Sequence, residues 1–209
     1  MTNLFDRIFN SDNEIIEDTD TQPQSNYYNS PDRIKYGREN IRKYLDGSQL
    51  IDDIAAVYGE CLEELNIADK WQLIGEIAGT LYYLDLMENQ HLNDEVEQVI
   101  QYLIQEIPFD SYKPLLAALL DDTGKPFRYF IDGFEAVDYI CETWGENLEA
   151  TTNIDHYRII SRLSWFAADM VTERIMIDSE DTTNICNRLH DLGRVSNGWY
   201  LMQAIHANI

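Results

Sequence analysis

Basic residues are scarce in this 209-residue sequence: 15 Lys and Arg stand against 38 Asp and Glu, a formal charge of −23. A deficit of that size argues against direct binding of nucleic acid or of an anionic membrane surface, since both need excess positive charge. Long apolar runs are missing too, with nothing near the ~20 residues of a membrane span, and the first residues lack a signal-peptide layout. Cysteine is rare and odd in number. Cys61, Cys141 and Cys186 are widely spaced with no CxxC pair, which excludes a zinc knuckle or a redox pair and fits buried thiols in a reducing cytoplasm. No GxSxG, P-loop or GxGxxG occurs either. What is present is core material: 44% of residues are hydrophobic and 11% aromatic, too many for general disorder.

Period-two alternation is never sustained, whereas helical spacing recurs along most of the chain. Residues 1–30 read as a short amphipathic segment (Leu4, Phe5, Ile8, Phe9) followed by an acidic, flexible arm. Residues 31–209 read as one all-α domain of eight or nine helices. Ser30-Pro31 starts the first helix and Asp46-Gly47 closes it. A second runs from Ser48 to about Leu65, with Leu50, Ile54, Val57, Cys61 and Leu65 as its apolar stripe. Asp69 is expected to cap a third, central helix reaching Met87, apolar around most of its circumference. Gly75 and Gly79 within it predict close approach of a neighbouring helix. Asn93 caps a fourth that stops at Pro108, and a short fifth covers Ser111 to Leu120. Pro126 opens a sixth that ends at Trp144-Gly145. The last three span Asn153–Met176, Ser179–Leu192 and Ser196–Ala207. The paired aromatics Tyr82/Tyr83, Tyr129/Phe130, Trp165/Phe166 and Trp199/Tyr200 are assigned to core packing.

Charge is distributed unevenly. Residues 51–100 hold 12 acids and one base, and residues 101–150 hold 10 and three, so this half carries −18 of the total. On the second helix Asp52, Asp53, Glu60, Glu63 and Glu64 are expected opposite the apolar stripe; Glu76, Asp94, Glu95 and Glu97 continue the acidic run. Like charges one helical turn apart each cost roughly 0.2–0.5 kcal/mol. A surface shaped for solubility alone would interleave Lys. These nine residues are therefore the candidate partner-binding set. Rows of carboxylates ~5.4 Å apart match the order of spacing of nucleic-acid phosphates and steer cationic partners toward them. In composition the chain resembles the DNA-mimic inhibitors of phages and mobile elements and the acidic immunity proteins that block nuclease toxins. That resemblance implies occlusion of the nucleic-acid site of a basic partner: a nuclease, a restriction or CRISPR effector, or a toxin. An acidic surface common to a salt-adapted organism is the plainer explanation, and the nearly neutral stretch 151–209 counts against it.

Two other readings stand beside this one. Glu60-x-x-Glu63 followed by Glu76-x-x-Gly79 is similar to the ExxE…ExxD pattern of all-α nucleoside triphosphate pyrophosphatases, in which facing helices hold Mg²⁺ through carboxylates. The last ligand is Gly79 here, and Asp85 is six residues too late. Self-association into a homodimer or larger assembly through the apolar C-terminal helix is the third reading. His190-Asp191 is assigned to a helix surface. Asp178–Asp181 fails as a calcium loop at Thr183 and Leu189. No catalytic residue, metal site or cofactor is assigned.

Overall fold

A computed structural model describes residues 39–44, 49–89, 95–171 and 195–209. The reading of residues 1–38, the Asn93 cap, the Ser179–Leu192 helix, Cys186, His190-Asp191 and Asp178–Asp181 all lie outside them.

The described residues are helical and contain no strand. Seven α-helices follow in order: α1 (Gln49–Tyr58), α2 (Ile67–Asn89), α3 (Glu95–Glu106), α4 (Tyr112–Leu119), α5 (Glu135–Trp144), α6 (Asn153–Met170) and α7 (Val195–His206). A single 3₁₀ turn at Ile41–Lys43 precedes them, and two more lie between them, at Phe109–Ser111 and Phe127–Tyr129. Among these residues no helix is long and apolar enough to cross a membrane.

Apolar residues around most of α2 make it central, because little of its circumference can be left in water. Trp71, Leu73, Ile74, Ile77, Ala78 and Leu81 are all buried. Its most extensive partner is α6, and α7 packs on it as well; α6 also meets α3 and α4. Gly75 and Gly79 do admit a neighbour. A Cβ at Gly75 would lie 3.0 Å from Cδ1 of Trp165, and one at Gly79 would lie 3.2 Å from Oγ of Ser161. The Ser161 hydroxyl donates to the Gly75 carbonyl at 2.9 Å, so the closeness of α6 is also used for a hydrogen bond.

Helix ends depart from the sequence reading in five places, each for a local reason. At the first helix, Asn40 is extended and caps the Ile41–Lys43 turn, its side chain accepting the Arg42 N–H, so no helix continues through it. The second stops at Tyr58, not Leu65, because Gly59 turns into the left-handed region (φ +86°) and Leu62 follows it there (φ +53°). Its buried stripe is Ile51, Ile54 and Ala55, and Val57 is exposed. For α2 the cap is shared: the Asn66 side chain accepts the Asp69 N–H at 2.9 Å, and the Asp69 carboxylate accepts the Asn66 N–H at 3.3 Å. Asp69 is thus the N3 member of a reciprocal pair. The expected sixth helix is broken at Asp132-Gly133, where Gly133 has φ +85°. Only the short turn follows Pro126, and α5 begins at Glu135. Finally, α6 ends at Met170, with Val171 extended. Its start is secured by the Thr152–Asp155 capping box.

Each aromatic pair is divided between core and solvent, contrary to the assignment of nearly all to packing. Tyr82, Phe130, Phe166 and Trp199 pack against the core, while Tyr83, Tyr129, Trp165 and Tyr200 are exposed. Adjacent residues on a helix point about 100° apart, so one ring buried leaves the next outward. The last helix buries one face against the core. Leu201, Met202, Ala204 and Ile205 are fully buried, and Asn208 clasps the backbone of Glu39 through both its amide oxygen and its amide nitrogen.

Candidate acidic binding face

The described members of the nine acidic residues singled out above do not all lie on one helix. Since α1 ends at Tyr58, Glu60, Glu63 and Glu64 lie in the following loop and not on a helix face opposite the stripe. Arg42 reaches into that region from the preceding turn. Its Nε donates to Asp52 at 3.0 Å and its Nη1 to Glu60 at 2.7 Å. Glu97 is held by Arg158 of α6. Glu63 serves the backbone: its carboxylate accepts the Cys61 N–H at 2.9 Å and fills the space beside Gly59. On α2, Glu76 is half-buried, and burial holds its carboxyl above the usual range. Asp53 is half-buried; Glu64 and Glu95 are exposed. Asp94 lies outside the described residues.

For the pyrophosphatase-like pattern the consequence is direct. Glu60 and Glu63 sit past the end of their helix, Glu60 is engaged by Arg42, and Glu76 is on the body of α2. Facing helices do not present these carboxylates to a shared cation. Among the described residues no three His, Cys, Asp or Glu side chains are grouped closely enough to hold a metal ion.

Acidic groups from separate helices do converge elsewhere, where α3 packs on α5. Heptad-like spacing buries Val96, Val99, Ile100 and Leu103 of α3, and Ala136, Val137, Ile140, Cys141 and Trp144 of α5. The opposite faces are turned to solvent. On α5 they carry Glu135, Asp138 and Glu142, which share one side at i, i+3 and i+7. Tyr102 of α3 and Tyr139 of α5 meet edge to face, their centroids 5.8 Å apart. The Tyr102 hydroxyl donates to Glu135 at 3.3 Å. Desolvation, and after it the negative charges of Glu135, Glu106 and Asp138, raise the Tyr102 hydroxyl above its ordinary range. Two helices thus bring Glu135 against one half-buried tyrosine pair, with the charges of Glu106 and Asp138 acting on the Tyr102 hydroxyl.

This chain matches no family model, no curated protein and no solved structure.

Arg128 borders the face. Its guanidinium contacts Asp132 at 3.0 Å, Asp138 at 2.5 Å and Glu146 at 3.0 Å. Those bonds, to Asp138 first, then Glu146 and Asp132, raise its already high pKa further, so it is a permanent cation tying the Phe127 turn to both ends of α5. Lys125 lies 4.1 Å from the centroid of the Tyr129 ring. Behind this edge, burial and then the charge of Glu146 push the Cys141 thiol up to about 11, which keeps it protonated and unreactive at neutral pH.

The tyrosine-centred face escaped the sequence reading because its members lie 29 to 36 positions apart: Tyr102 and Glu106 on one helix, Glu135 and Asp138 on the other. One signal was available. Glu135, Asp138 and Glu142 alternate with apolar residues at helical spacing, which marks an acidic outer face on α5 before any contact is known.

Proposed function

We propose that this is a binding protein that docks a basic partner on the acidic α3–α5 face and occludes that partner's nucleic-acid-binding site. The reading rests on one observation: Tyr102 of α3 and Tyr139 of α5 meet edge to face, with Glu135 hydrogen-bonded to Tyr102 and the charges of Glu106 and Asp138 acting on the same hydroxyl. Carboxylates fixed on rigid helices attract cationic side chains over a distance set by salt, and an aromatic pair between them offers a flat apolar contact for a Lys or Arg stem. The chain's net charge of −23 adds long-range steering toward positively charged surfaces. A nuclease, a restriction or CRISPR effector, or a toxin would present such a surface, since each must bind phosphates. The proposed setting is the cytoplasm, where such proteins meet their nucleic acid.

Reversing charge at three exposed or face-forming positions tests this. The variant Glu106→Lys, Glu135→Lys, Glu142→Lys leaves the buried faces of α3 and α5 untouched, so its circular dichroism should match the parent. Immobilised parent protein should retain nucleic-acid-handling proteins from lysate at low salt. Raised salt or added duplex DNA should release them, and the variant should fail to capture them. Capture that is indifferent to salt, to duplex DNA and to charge reversal would refute the proposal.

A further inference from the structure

We draw no further inference here: the strongest candidate, the side-chain cluster of Lys70, Lys113 and His206 beneath the end of α7, carries nothing, because Lys70 already donates to the Asn208 carbonyl and His206 to that of Lys113, and no observation there points to a ligand.

Discussion

Replacing Arg128 by Met removes one cation from the border of the acidic face while keeping a long apolar stem against the core. Three bonds are lost, to Asp132, Asp138 and Glu146, whose side chains are 51%, 55% and 53% exposed. Partly exposed pairs contribute about 0.2–1 kcal/mol each. Three that share one guanidinium fix it once, so their sum falls at about 1–2 kcal/mol. Equilibrium urea denaturation at about 20 mM salt should show that loss. At about 0.5 M salt the Debye length shrinks to a few ångströms, and the loss should fall to about half. A double-mutant cycle with Asp138→Asn isolates the shortest contact, and a coupling of about 0.5–1 kcal/mol is expected. For binding the sign is opposite. Arg128→Met adds one negative charge and releases Asp138, so salt-sensitive capture of the basic partner should strengthen while stability falls. A destabilisation below ~0.3 kcal/mol at low salt, or one that does not respond to salt, would refute the account of Arg128 as the counter-charge of this edge.

Other expectations follow from named contacts. Gly75→Ala gains about 0.8–1 kcal/mol of helix propensity, but its Cβ would press within 3.0–3.3 Å of the Trp165 indole. Overpacking costs about 1–3 kcal/mol, so this variant should be less stable than the parent and less stable than Gly79→Ala, which meets only Ser161 Oγ; chemical denaturation checks the order. Gly59→Ala forces a side chain into φ +86° and against the Glu63 carboxyl, and should lose about 1–2 kcal/mol by the same measurement. Burial pushes His206 down to about 4 from its ordinary 6.5. The folded chain therefore refuses a proton that the unfolded chain takes up below about pH 6.5. Stability falls through that window, and the advantage of the parent over His206→Gln should shrink by about 2 kcal/mol from about pH 7 to about pH 5. Burial also holds His156 low and acts in the same direction, whereas the raised carboxyls of Asp69 and Glu76 act oppositely. The comparison with the variant, measured as denaturation midpoints across pH, cancels those shared terms.

Helical class, the central place of α2 and the stops before Pro108 and at Gly145 were all legible in the residues. Each depends on neighbours within one or two turns: apolar spacing, a missing N–H, a glycine free to take φ +88°. Net charge is equally local, being a count. The close approach at Gly75 and Gly79 was legible for the same reason, since two glycines one turn apart leave a shallow groove on a helix.

Tertiary structure alone decided which acids keep their charge available. Arg42 meets Asp52 and Glu60 because the chain turns at Gly59 and returns alongside the preceding segment, with Ile41 N–H donating to the Glu60 carbonyl at 2.8 Å. Arg158 meets Glu97 across 61 positions. Tyr102 finds Tyr139 and Glu135 only once α3 lies on α5. Spacing along a chain encodes faces of a single helix, but electrostatic pairing depends on distances between helices. Those distances follow from where each helix ends and which apolar faces interlock, so they exist only after the whole body has packed.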